Sequence, residues 1–135
     1  MKIGITFGTF DLFHVGHVLM LQEAKQNCDH LIVCIQVDPS RDRAWKNKPV
    51  QSVLEREIQV AACKYVDSVL IYETEQDLKN ILDMIKWDVR FMDETYKNKP
   101  ITAEWTREKC YYTKRKHGYS SSDLRMRIWT RLVGG

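Results

Sequence analysis

The chain has 135 residues, a net charge of +3 and 44% hydrophobic residues, which bounds it to one domain (1–135) with room for a sizeable core. A charge this small does not argue for nucleic acid, although clustered cations would suit a small anionic substrate, and no apolar run approaches the roughly 20 residues of a membrane span. The cysteines Cys28, Cys34, Cys63 and Cys110 are scattered and form no CxxC pair. Cys34 and Cys63 lie in apolar segments and read as buried thiols of a reducing compartment, and a zinc site of these cysteines with His30 or His117 is the lesser reading because no ligand pair has the usual spacing. Met1-Lys2-Ile3 leads directly into a strand without a signal-peptide layout, so a cytoplasmic location is expected.

Apolar runs alternate with helical stretches along the whole chain, which predicts an α/β fold with a mainly parallel sheet. A first strand is expected over 2–7. It runs into Gly8, Thr9 and Phe10, then into His14-Val15-Gly16-His17 at the start of a helix over 15–27. Gly8 would let the backbone turn sharply, and Leu19, Leu21 and Ala24 would face the sheet. A helix start after a strand is an anion site, because its free N–H groups and dipole attract phosphate. Two imidazoles beside it can donate to phosphate oxygens and, when protonated, offset transition-state charge.

A nearly all-apolar second strand is expected over 31–37, followed by a polar loop over 40–50 with four cations and one acid. This loop leaves the C-terminal edge of the sheet, where open α/β folds bind ligands, so it reads as a flap that carries Lys46 or Lys48 over phosphates. Ser52 and Glu55 form a capping-box pattern for a helix to about residue 64, with an apolar stripe of Leu54, Ile58, Ala61 and Ala62. Further strands are expected over 68–72, 87–92 and 109–113. A helix is expected over 76–85, with Leu78, Ile81, Leu82 and Ile85 on its buried side, and a helical turn over 102–107. A basic helix over 123–131 follows the stretch Arg115-Lys116-His117-Gly118-Tyr119-Ser120-Ser121-Ser122. Strand, basic turn, glycine and serine-capped helix repeat the phosphate-site logic of the first motif.

The stretch G-T-F-D-x-x-H-x-G-H, with the late arginine, glycine and serines, resembles the cytidylyltransferases acting on glycerol 3-phosphate, choline phosphate and ethanolamine phosphate. Their late motif reads R-T-x-G-I-S-T-T. The resemblance extends over nearly the whole chain, including Tyr65-Val66-Asp67. It implies a Rossmann-like three-layer α/β/α fold with a five-stranded sheet, and transfer of CMP from CTP to a small phosphorylated acceptor such as glycerol 3-phosphate. Mg²⁺ would arrive with the triphosphate and no protein side chain would serve as its ligand. The resemblance further implies a homodimer, for which the 52–64 helix and the Tyr65-Val66-Asp67 triplet are the candidate interface.

Carried over residue by residue, it places Thr9 and Phe10 beside the nucleotide and His14 and His17 on its phosphates. Lys46, with Lys48 as the competing choice, would reach the α-phosphate. Arg56 and Lys64 would assist the acceptor. Arg115 would hold phosphate or base, and Ser120, Ser121 and Ser122 the terminal phosphates. The family's M-G-D-D-W loop, part of the base pocket, is here Met92-Asp93-Glu94-Thr95-Tyr96, which assigns Glu94 to the nucleotide. The triple serine also resembles an adenylyltransferase motif, so ATP is the alternative nucleotide. A non-catalytic nucleotide-binding relative and a basic nucleic-acid module are the readings from other classes.

Overall fold

A computed structural model describes residues 1–114 and 117–134. Its elements are β1 (Ile3–Gly8), α1 (Val15–Gln26), β2 (His30–Gln36), the short α2 (Pro39–Asp42), α3 (Val53–Ala61), β3 (Ser68–Tyr72), α4 (Glu75–Met84), β4 (Val89–Asp93), β5 (Cys110–Thr113) and α5 (Ser121–Gly134). 3₁₀ segments at Glu94–Tyr96 and Glu104–Lys109 precede β5. The described strands form one five-stranded sheet of order β3-β2-β1-β4-β5. Every pairing in it is parallel, so the expected three-layer α/β/α architecture is present.

Alternation along the strands divides the core between the two faces, as a sheet covered on both sides requires. Leu31, Val33 and Ile35 of β2 pack with Leu21 and Ala24 of α1 and Val60 of α3. Ile5, Ile32 and Cys34 pack on the opposite face with Leu78 and Leu82 of α4 and with Trp87. Burial pushes the Cys34 thiol up to about 12, in keeping with an inert core cysteine. The Tyr65-Val66-Asp67 triplet seats β3: Asp67 accepts from Leu31 N at 2.8 Å and pairs with Lys25, while Gln22 donates to the Tyr65 hydroxyl at 3.0 Å.

Two helices turn differently from the expected stripes. Leu19 of α1 is exposed, because it lies about 160° around the helix from Leu21 at 100° per residue, whereas Ala24 lies within about 60°. In α3 the buried residues are Arg56 and Val60, with Val53 packed against the core. Leu54 and Ile58 are 61% and 60% exposed, and Ala61 and Ala62 are exposed as well. The sheet takes the narrower face because that face carries Arg56, whose guanidinium has backbone partners there. None of the described helices is long and apolar enough to cross a membrane.

Candidate functional site

The order β3-β2-β1-β4-β5 reverses direction between β1 and β4, and ligands of open α/β sheets bind outside the strand C-termini at such a point. An open cavity of about 430 Å³ lies there. Its lining includes Thr9, Phe10, His14, His17, Lys46, Ser120 and Ser121, seven residues expected from the sequence and drawn from four separate segments.

The His14/His17 pair is a helix cap as well as a ligand site. His14 is the N-cap of α1: its Nδ1 accepts from Gly16 N at 3.0 Å, and His17 Nδ1 accepts from His14 N at 3.2 Å. The motif is therefore a capping box in which both side chains are imidazoles. A backbone N–H donates to Nδ1 of each ring, so each neutral ring carries its proton on Nε2. Both rings line the cavity, and the box fixes them as N–H donors to an anion.

Gly16 is required by this geometry, since a Cβ there would lie 2.8 Å from His14 Cε1 and 3.0 Å from His117 Cε1. His17 stacks on Phe13 at 5.5 Å, tilts against Phe10 at 5.3 Å and lies 3.9 Å from the His14 ring, centroid to centroid. Burial, reinforced by His14, pulls its pKa down to about 3. His17 is thus neutral at pH 7 in the free protein, where its Nε2 proton makes it a hydrogen-bond donor.

The loop between β1 and α1 turns through Phe10 and Leu12, which take left-handed φ values of 53° and 52°. Gly8 was expected to make this turn. Its own constraint is space, because a Cβ would lie 2.9 Å from the Phe10 ring. Non-glycine residues held at positive φ store strain of order 1–3 kcal/mol each and cluster at functional sites.

Asp11 organises the surroundings from within this loop. Buried at 4% exposure, it accepts from Val50 N at 2.8 Å and Gln51 N at 3.0 Å, and pairs with Arg125 at 2.8 Å. Its own carbonyl accepts from Ser121 Oγ at 2.7 Å. Burial pushes the Asp11 carboxyl up, but the two amides and Arg125 outweigh it and hold the group below the usual carboxylate range. One side chain thereby joins the first motif, the base of the flap and the serine-opened helix. From the sequence this aspartate is legible only as part of G-T-F-D, because its partners Val50, Gln51 and Arg125 lie 39 to 114 residues away.

Other assigned residues sit elsewhere. Lys46 is half-buried on the cavity wall, and Lys48 is exposed and does not line it. Arg56 is 1% exposed and lies beneath the site, donating to the carbonyls of Thr9, Gln36, Val37, Gln51 and Ser52 at 2.6–3.3 Å. In that position it holds the ends of β1 and β2 to α3, and it is not among the residues that line the cavity. Lys64 is exposed, over the Tyr65 ring at 5.2 Å, away from the cavity lining. Glu94 is exposed, whereas its neighbours Met92 and Asp93 line the cavity. Ser122 is exposed off the lining, and Ser120 Oγ accepts from Asp123 N at 3.0 Å to cap α5. Arg115 and Lys116 lie outside the described residues. His117, Gln36, Arg43, Glu75 and Arg90 also line the cavity, and the sequence reading gave none of them a role there.

A family model described as cytidylyltransferase-like matches residues 5–127. The chain belongs to the cytidylyltransferase-like family. It is 32% identical over 140 residues to the bifunctional protein HldE of Caulobacter sp. strain K31, covering 100% of this chain and 28% of that protein. It is 36% identical over 103 residues to HldE of Acidiphilium cryptum, covering 76% of this chain and 21% of that one. The chain thus spans about a quarter of the length of these curated relatives. Among solved structures, a lipopolysaccharide core biosynthesis protein from Thermoplasma volcanium superposes with a TM-score of 0.65 at 25% identity, covering 89% of this chain and 99% of that one. Pantothenate synthetase from Thermus thermophilus superposes with a TM-score of 0.66 at 9% identity over 92% of this chain and 61% of that one, a likeness of fold alone.

Proposed function

We propose that this chain transfers a nucleotidyl group, CMP from CTP, to a small phosphorylated acceptor and releases pyrophosphate. The observation that carries the reading is the convergence of the His14/His17 box, Lys46 and the Ser120-Ser121 helix start on one cavity at the strand C-termini. An acceptor phosphate oxygen attacks the α-phosphorus in line. The new O–P bond forms as the bond from that phosphorus to the β-phosphate oxygen breaks. A phosphate monoester is already an anionic nucleophile, so no general base is needed, and catalysis reduces to alignment and charge stabilisation.

Neutral His17, with its proton on Nε2, donates to the phosphate oxygens without paying to bury a second charge. Lys46 follows the developing charge from the flap, whose base Asp11 holds. Mg²⁺ would enter held by the triphosphate, as part of the substrate. Glycerol 3-phosphate is the acceptor favoured by overall likeness, and the similarity to a lipopolysaccharide core biosynthesis protein of Thermoplasma volcanium makes phosphorylated sugars the next acceptors to test. The triple serine favours ATP as the second donor to test.

We read the protein as a homodimer, because Leu54, Ile58 and Val50 present an uncovered apolar stripe on and beside α3. A matrix of nucleoside triphosphates against phosphorylated acceptors, read by mass spectrometry, tests the activity. His17→Ala and Lys46→Ala should each lose about 10²–10³ in turnover, while Lys48→Ala should stay within about threefold of the parent, as expected where no reacting group is touched. Near-normal transfer by both of the first two refutes the assignment. Nucleotide binding without pyrophosphate release would mark a non-catalytic relative.

A further inference from the structure

The cavity has a second polar end that the nucleotide reading does not use. In β4, Arg90 is in register with Ile5 of β1, and Gln36 of β2 is in register with Tyr72 of β3. Ile5 and Tyr72 belong to the core on the α4 face of the sheet, so Arg90 and Gln36 point to that face. His14 and His17 cap α1, on the other face. The sheet edge therefore separates a histidine-and-serine half from a half built by Gln36, Arg43, Glu75, Arg90 and Thr102, all on the same cavity wall.

These five form one network. Arg43 Nη2 donates to Gln36 Oε1 at 3.0 Å, and its Nη1 lies 3.3 Å from Glu75 Oε1. Thr102 Oγ1 donates to Glu75 Oε1 at 2.9 Å, and Arg90 Nη1 donates to Thr102 O at 2.7 Å. A pair that served only packing would be fully hydrogen-bonded, because an unsatisfied buried polar atom is costly. Here Arg43 Nε and Glu75 Oε2 are both buried and find no partner among the described residues. The network is half-satisfied in the free protein, and a polar ligand on this wall would let Arg43 and Glu75 re-pair around it.

We propose that this wall is the acceptor subsite and that it selects the hydroxylated end of a polyol or sugar phosphate; the proposal rests on the nucleotidyl-transfer reading above. A hydroxyl donates and accepts at once, so adjacent hydroxyls satisfy a carboxylate and a guanidinium together. An ammonium group only donates and would meet the two cations Arg43 and Arg90. A second anionic group would meet Glu75. Asp93, another carboxylate lining the cavity, is engaged by Thr95 N at 2.8 Å. The subsite thus favours acceptors whose end away from the phosphate is uncharged and polyhydroxylated over amino-alcohol phosphates and phosphoamino acids.

The test compares glycerol 3-phosphate and a hexose 1-phosphate with phosphocholine, phosphoethanolamine and phosphoserine. Calorimetric binding and initial rates are measured for the parent, Glu75→Gln and Arg43→Gln. Glu75→Gln keeps an oxygen for Thr102, and Arg43→Gln serves should the first variant fold poorly in a thermal melt. Losing one such contact should raise acceptor KM about tenfold to a hundredfold, with kcat and nucleotide Kd nearly unchanged. Preference for phosphocholine, phosphoethanolamine or phosphoserine, or an acceptor KM unchanged in both variants, overturns the proposal. If polyol phosphates bind the parent and not the variants but no acceptor is ever nucleotidylated, the transfer reading fails and the subsite stands. If transfer proceeds and the variants behave as the parent, the subsite alone fails. If nothing is transferred and nothing binds, both fail.

Discussion

Arg56→Met separates a structural arginine from an acceptor contact. The guanidinium is 1% exposed and makes its two shortest bonds, both 2.6 Å, to Gln36 O and Val37 O at the end of β2. A third, at 3.0 Å, goes to Thr9 O just past β1, and Nε spans Gln51 O and Ser52 O at 3.2 and 3.3 Å before α3. Ionic hydrogen bonds are worth about 1.5–3 kcal/mol each, but the five share one cation whose burial is itself costly. The net loss on removing one side of such an arrangement is therefore about 3–5 kcal/mol. For a domain of this size that lowers Tm by about 10–20 °C. Urea unfolding followed by circular dichroism reads the loss directly, and the m-value should not change, since the same surface is exposed on unfolding. Activity at a temperature where the variant is folded should show a loss spread over kcat and both substrates, because the residues displaced carry the flap and the first loop together. A variant that melts within about 3 °C of the parent, well below the shift such a loss requires, while acceptor KM alone rises would return Arg56 to the acceptor.

Three further outcomes follow from the same geometry. The folded-state pKa of His17, about 3, lies below its unfolded value near 6.5, so the unfolded chain binds more protons between those limits; stability contributed by the neutral ring is present above pH 6.5 and is lost at up to about 1.4 kcal/mol per pH unit as pH falls toward 3. Unfolding titrations from pH 6.5 to 4.5 should be shallower for His17→Asn, and an NMR midpoint for His17 near 6.5 in the free protein would contradict the burial argument. Asp11→Ala strands two amides and Arg125 and should cost about 2–5 kcal/mol, with hydrogen exchange at Val50 and Gln51 accelerating first; unchanged exchange there would break the link between loop and flap. Sedimentation equilibrium should give twice the chain mass of 16.0 kDa for the parent and one chain mass for Ile58→Glu, and a monomeric parent would remove the dimer from the reading.

The fold was legible because its signals are local. Apolar runs of strand length alternating with helical stretches require parallel crossovers, and the β3 span read from the sequence, 68–72, coincides with Ser68–Tyr72. Helix faces were less legible. The stripe Leu54, Ile58, Ala61 is the stronger apolar pattern in α3, yet the sheet buries Val53, Arg56 and Val60. Periodicity counts methyl groups and gives no weight to a buried guanidinium, although here the backbone carbonyls at the ends of two strands determine which side faces inward. The same blindness hid Arg90 and Glu75. A charge in the middle of a strand, or at the first position of a helix, reads as surface until register and topology bring it to a cavity.

The histidine pair shows why part of the site could be read and part could not. Their spacing announces a phosphate site at a helix start, and the cavity lining agrees. What spacing does not carry is that each ring also accepts a backbone N–H, so one pair of side chains caps α1 and sets its own tautomer. Because Nδ1 is occupied, turning either ring over would cost a cap bond of about 1 kcal/mol as well as the contact to phosphate. That coupling makes the donors rigid before any nucleotide arrives, which is the preorganisation electrostatic catalysis requires. The burial that supplies the rigidity also lowers the His17 pKa. A negative triphosphate opposes that shift, yet a ring that starts near 3 stays neutral at pH 6 to 7 unless nearly all of the shift is reversed. Calorimetry at pH 6 in two buffers of different ionisation enthalpy should therefore show the same proton uptake on nucleotide binding for the parent and His17→Asn. A larger uptake by the parent would mean that nucleotide drives His17 to the imidazolium and that the ring meets the developing charge as a cation.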